Sequence, residues 1–215
     1  RRRCVAITLS AVTVLDALFW VVSLVLVVAG ASKLTDPAPV AATLSALRRP
    51  SGSTAHPAGP GSGVGLARSV GALEVLVGLA ALTVGGPLVA FAVAAAYAAF
   101  AVVVVVARSR GLESCGCFGV ASAPPSWVHV AVNVVSAAVA VAAAVAGPVP
   151  ASDGLSALGG PDAVVVGCLV LLATALVVVI DTTVADVVEA ARLVRSQADD
   201  DPTPSPERPS EVLTP

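Results

Sequence analysis

Five stretches of about 18 to 27 residues, each almost free of charge, leave this chain few ways to fold, because burying that much apolar sequence in water would need a far larger polar shell than it has. A helix crosses the hydrocarbon core of a bilayer in about 20 residues. The stretches fall at about Val5 to Ala31, Leu66 to Val84, Pro87 to Ala107, Trp127 to Ala146 and Ala163 to Ile180. Of the 215 residues, 57% are hydrophobic and 12% charged. The mean hydropathy is +0.94. The apolar residues are mostly Ala, Val and Leu with many Gly, which suits helices packed closely in lipid better than the alternating strands of a barrel. The expected fold is an all-α integral membrane protein: a four-helix transmembrane bundle over 1–147 and a fifth transmembrane helix within 148–197. A net charge of −2 gives no electrostatic basis for binding nucleic acid, so membrane lipid is the surrounding partner.

The first run is longer than the apolar core of a signal peptide and has no clean Ala-x-Ala site before Lys33, so it reads as a span. The chain contains no Met and starts on Arg1, which leaves room for a preceding segment. Lys33 and Pro37 close the first span, and 38–65 reads as a mobile loop whose second half is rich in Gly, Ser and Pro, with His56 as a solvated residue. Gly85-Gly86-Pro87 turns the second span tightly into the third, making them antiparallel neighbours. Pro124-Pro125-Ser126-Trp127 starts the fourth. Beyond Asp181, the apolar residues Val184, Val187, Val188, Ala191 and Val194 recur at helical spacing, which reads as an amphipathic extension along the membrane surface. The tail 198–215 is acidic and proline-rich and is expected to be disordered.

Reactive chemistry gathers in the loop 108–126, which contains Cys115-Gly116-Cys117-Phe118-Gly119. Thiols at i and i+2 can close on each other across a bend that Gly116 and Gly119 make easy. The small ring is strained, which suits a pair that is repeatedly oxidised and reduced. Two other readings stand beside this one. The thiols could be ligands of a metal, although no second cysteine pair completes a structural zinc site, or they could be inert packing. Arg108 and Arg110 next to them would favour the thiolate, which is the attacking species.

Alternating spans put the loop after the first helix and the Cys-Gly-Cys loop on one side of the membrane. Lys33, Arg68, Glu74, Arg108 and Arg110 all belong to that end, and His129 and Asn133, four apart, share a helical face there. A carboxylate inside a span marks a site and needs a partner, so Glu74 is expected to pair with Lys33 or an Arg. Its plainer reading is a helix-start carboxylate satisfied by the dipole. Asp16, Cys4 and Cys168 lie toward the opposite end.

These elements resemble the MauE-type methylamine utilisation proteins of the wider DoxX-like membrane group. The resemblance rests on Ala29-Gly30-Ala31-Ser32-Lys33-Leu34-Thr35-Asp36-Pro37, on Leu73-Glu74 with Gly78, on Arg110-Gly111 leading into Cys115-Gly116-Cys117-Phe118-Gly119, and on Asn133. It covers about Val14 to Gly147. Val132 stands where the family pattern often has Arg, and the Gly/Ser/Pro-rich loop, the fifth span and the tail are additions. The resemblance implies a four-helix membrane protein needed to mature methylamine dehydrogenase by helping form its disulfides alongside a thioredoxin-like protein.

The expected function is therefore a membrane thiol-redox accessory protein, possessing a possible thiol-disulfide oxidoreductase activity. Cys115 and Cys117 exchange a disulfide with a thioredoxin-fold protein or an exported client, while Glu74, Lys33 and Asn133 orient the loop or handle protons. A quinone is one acceptor for the electrons. The alternatives are a non-catalytic scaffold and a bundle that passes a small solute or metal. Orientation is contested, since basic residues outnumber those at the other end on the thiol side and argue for the cytoplasm, whereas disulfide chemistry and the Arg1-Arg2-Arg3 lead argue for the exterior. The exterior face is the expectation.

Overall fold

The computed structural model describes residues 2–48, 63–112, 125–158 and 160–200. Among them are seven helices and no strand: α1 (Arg2–Thr35), α2 (Ala38–Arg48), α3 (Val64–Thr83), α4 (Pro87–Ser109), α5 (Trp127–Ala146), α6 (Ala151–Leu158) and α7 (Gly160–Asp200). Five are long and apolar enough to cross a membrane, at Val14–Thr35, Val64–Thr83, Pro87–Ser109, Trp127–Ala146 and Gly160–Thr183. Their outer faces carry bare aliphatics such as Leu88 at 84% and Val145 at 80% exposure, which lipid tolerates and water does not. The chain is an all-α, multi-pass membrane protein.

α1 is the axis of the bundle, touching α3, α5, α6 and α7, and it is the most buried of the spans. Its Phe19, Trp20, Val22 and Leu26 meet Val93 and Tyr97 of α4 and Ala140 and Ala143 of α5 in one core. Two polar tips in that core are satisfied by main chain. Tyr97 donates to the Val22 carbonyl at 2.6 Å, and the Trp20 indole donates to the Val149 carbonyl at 3.2 Å. α1 and α3 run antiparallel along a seam of glycines. A Cβ on Gly30 would lie 2.6 Å from the Gly71 carbonyl, and one on Gly78 would lie 2.8 Å from the Ser23 carbonyl. Only residues without a side chain let the backbones come so close.

The turn from α3 to α4 uses Gly85 (φ 66°) and Gly86 (φ 83°), and Pro87 then takes the first helical position. The Gly86 amide donates to the Pro148 carbonyl at 3.0 Å, tying this turn to the link between α5 and α6. α5 starts with a reciprocal cap: Ser126 and His129 each bond the other's backbone amide through their side chains.

Three sequence expectations change. Residues 38–48, read as the first part of a mobile loop, form helix α2, because Val40 and Ala41 bury against Ala67 of α3. The stretch between α5 and α7 contains the short helix α6, whose Gly154 admits the Trp20 ring: a Cβ there would lie 2.5 Å from it. The helix of the fifth span continues past Asp181 without a break to Asp200, so it takes in the first residues of the tail expected to be disordered. Residues 49–62, with His56, and the tail 201–215 lie outside the described residues.

Candidate functional site

The end of the bundle where α1 finishes is polar inside. Lys33, in the last turn of α1, is buried, and so is Glu74 on α3. The glycine seam explains why they meet. Gly30 and Gly71 each lie one helical turn before the ion-pairing residue of their own helix, so the contact that joins the backbones also brings the two side chains together. The Lys33 ammonium donates to Glu74 Oε2 at 2.8 Å and to the Ala29 carbonyl at 3.2 Å, and it sits 5.3 Å from the centre of the Phe100 ring. This is a desolvated, charge-assisted bond backed by a cation–π contact. Glu74 Oε1 is buried and finds no hydrogen-bond partner among the described residues.

Beside the ammonium lies a cavity of about 20 Å³ lined by Val25, Leu26, Ala29, Tyr97, Phe100, His129, Asn133 and Asp181. One water needs roughly 10–15 Å³ and several polar partners, and the cavity with its Tyr97, His129, Asn133 and Asp181 supplies both. Asn133 donates to the His129 carbonyl at 2.7 Å. His129 is held at both ring nitrogens. Nε2 lies 2.8 Å from the Asp181 carbonyl, which can only accept, while Nδ1 lies 3.2 Å from the Ser126 amide, which can only donate. Those partners fit the neutral ring with its proton on Nε2, leaving Nδ1 to accept from the Ser126 amide and hydroxyl.

Above this cluster the described chain stops at Leu112 and resumes at Pro125. Arg108, at the end of α4, donates to the Pro125 carbonyl at 3.3 Å and stacks over the Trp127 ring at 5.1 Å, so the two flanks of the intervening segment are joined. Arg110 donates to the Leu47 carbonyl at 2.7 Å and the Ala46 carbonyl at 3.3 Å, closing the C-terminus of α2. These bonds put the end of α2 and the flanks of residues 113–124 at the same end of the bundle as Lys33 and Glu74.

Of the residues singled out from sequence, Lys33 and Glu74 pair directly, Asn133 lines the adjoining cavity, Arg108 joins the two loop flanks, and Arg110 ties the first of them to α2. Cys115 and Cys117 lie outside the described residues. Asp16 is buried near the Val149 amide in the other half of α1, and Cys168 is an exposed free thiol. Tyr97 and Asp181 were missed. Asp181 looked like the polar end of a span, and the uniformly apolar sequence before it gives no hint of which way it faces. Among the described residues no three His, Cys, Asp or Glu side chains gather as a metal site. A groove of about 280 Å³ between α1 and α7, lined by residues such as Leu18, Val21, Leu169 and Val170, offers no polar anchor for a quinone head.

A family model for methylamine utilisation protein MauE matches residues 11–147. The chain belongs to the MauE family. The match runs from within α1 to the end of α5 and takes in Lys33, Glu74, Arg108, Arg110, both cysteines of the Cys-Gly-Cys run, and Asn133. Membership makes this a multi-pass membrane protein linked to methylamine utilisation. α6 and α7 fall outside the MauE match, yet Asp181 of α7 completes the wall of the polar cavity. No match is found among curated proteins or among solved structures.

Proposed function

We propose that this MauE-family protein is a membrane thiol-redox accessory factor, in which Cys115 and Cys117 exchange a disulfide with a thioredoxin-fold partner or an exported client on the exterior face of the membrane. The observation that carries the reading is the buried Lys33–Glu74 pair at the bundle end from which the Cys-Gly-Cys segment leaves and to which it returns. Burying two opposite charges inside a span costs several kcal/mol of desolvation per ion, which a plain scaffold has no reason to bear. In the exchange, a thiolate of one cysteine attacks the partner's disulfide to give a mixed disulfide, and the second cysteine resolves it, leaving the pair oxidised and the partner reduced. The attacking thiol gives up one proton and the departing thiolate gains one. Glu74, Lys33 and Asn133 supply the groups that hold and orient around such a proton.

Solute passage is the competing reading, but a cavity the size of one water gives it little room. The test is trapping. Cys115→Ser or Cys117→Ser leaves a mixed disulfide without its resolving thiol, so one of the two variants accumulates a reducible adduct on non-reducing gels. Absence of any adduct from either variant, with thiols that alkylate readily in the native protein, rules the exchange out.

A further inference from the structure

Asp181 is the least expected resident of this site. It belongs to α7, outside the residues that match the family, and yet it is 5% exposed and lines the same cavity as Tyr97, His129 and Asn133. The cavity has two further neighbours. Ala29, in its wall, accepts from Lys33 through its carbonyl, and Phe100, also in its wall, lies against the Lys33 ammonium. The Lys33 ammonium therefore packs against two residues of the cavity wall, and Asp181 belongs to the same wall. The second carboxylate oxygen of Glu74, fully buried, has no donor among the described residues. A buried oxygen without a donor loses its hydration with nothing in return, unless a water or a proton reaches it.

We propose that Glu74 and Asp181 are the two ends of one proton-exchanging unit, running from Glu74 through the Lys33 ammonium and a single water in the cavity to Asp181. The unit spans the bundle from α3 to α7, so the fifth span is part of the site. It rests on the thiol-exchange reading and deepens it. A thiol that attacks a partner's disulfide must lose a proton, and the partner's departing thiolate must regain one; the unit stores that proton between the two events. No external oxidant beyond the partner's disulfide is involved, and the proton count closes at zero. The charged and titratable groups around Asp181 are His129 from α5, Tyr97 from α4, and, next to the wall residues Ala29 and Phe100, Lys33 of α1 with Glu74 of α3. His129 is turned with its Nε2 proton toward the Asp181 carbonyl, so it anchors α7 at this depth.

The test uses the full-length protein in membranes, with Cys4 and Cys168 replaced by Ala, and follows the exchange of Cys115 and Cys117 with 4,4′-dithiodipyridine across pH. Asp181→Asn keeps the shape and removes the exchangeable carboxylate, and Asp181→Leu fills the cavity and expels the water. Each is expected to slow exchange about tenfold or more and to shift the pH–rate profile, against the roughly 100-fold or greater contribution of a well-placed proton-transfer group. Glu74→Gln is expected to do the same, and the Glu74→Gln/Asp181→Asn double variant to be no slower than the slower single, because the two act in one unit. Asp181→Glu restores the rate. A smaller slowing in Asp181→Asn with an unmoved profile, or effects that multiply in the double variant, overturns the unit while leaving thiol exchange in place. A native protein whose thiols alkylate but never exchange with the probe removes the exchange reading and the unit together.

Discussion

Lys33 and Glu74 stabilise each other in this position. Both are 4% exposed, and their 2.8 Å bond stands in for the hydration each has lost. Lys33→Met strands a buried carboxylate and is expected to cost about 3–5 kcal/mol. Glu74→Leu strands the ammonium at a similar cost, Glu74→Gln is milder because Gln can still accept from it, and the Lys33→Met/Glu74→Leu double variant recovers most of the loss by turning the contact apolar. Unfolding in detergent, read as a double-mutant cycle, measures this. A cost below about 1 kcal/mol for Lys33→Met or Glu74→Leu, or additive costs in the double, contradicts the pair's mutual dependence. The sequence allowed this pairing to be anticipated, since a carboxylate one turn or two into a span has few cationic candidates and Lys33 ends the neighbouring span. It could not disclose Asp181 or Tyr97. Their roles depend on the rotation of α4 and α7 about their own axes, and where every residue around a helix is apolar, periodicity does not fix that rotation.

At the scale of elements, close approach of α1 and α3 rests on glycines that no other residue can replace. A Cβ on Gly71 would lie 2.8 Å from the Gly30 carbonyl and 2.9 Å from Lys33 Cβ, and neither can move without moving a helix. Gly71→Val is expected to destabilise by about 1–3 kcal/mol through overpacking, and also to loosen the ion pair. Gly65 is the control, since a Cβ there meets nothing within 4 Å. Gly65→Ala is expected to be neutral or stabilising by up to about 1 kcal/mol, through helix propensity. Equal losses from both substitutions would mean that the seam does not depend on close approach. The spans and the Gly85-Gly86-Pro87 turn were legible because length and apolarity suffice to define them. α2 was not, although Val40, Ala41, Leu44 and Leu47 recur at helical intervals, because its residues merge into the Gly/Ser/Pro-rich stretch that follows and its stability comes from Ala67, distant in sequence.

For the whole molecule, the bonds from Arg110 to α2 and from Arg108 to Pro125 place the flanks of 113–124 on one side of the membrane, and α7 leaves the bundle on that side as well. The exterior assignment proposed above is tested on intact cells carrying a variant without Cys4 and Cys168. After reduction with an impermeant reductant, an impermeant maleimide is expected to label Cys115 and Cys117. Labelling that appears only once the cells are broken puts the thiols in the cytoplasm, where the case for disulfide formation falls.

The pairing of Lys33 with a residue 41 positions later also sets a schedule for biogenesis. At about 5–20 residues per second, the ribosome finishes α1 roughly 2–8 seconds before Glu74 is polymerised. During that interval the first helix enters the bilayer with an ammonium in its last turn and no carboxylate to meet it. A lysine so close to a helix end can reach the headgroups with its four-carbon stem and wait there. α3 then draws it inward. Assembly of the first and third helices thus carries a charge from the interface into the hydrocarbon, and an α3 delayed or unable to dock would leave α1 sitting at a different depth.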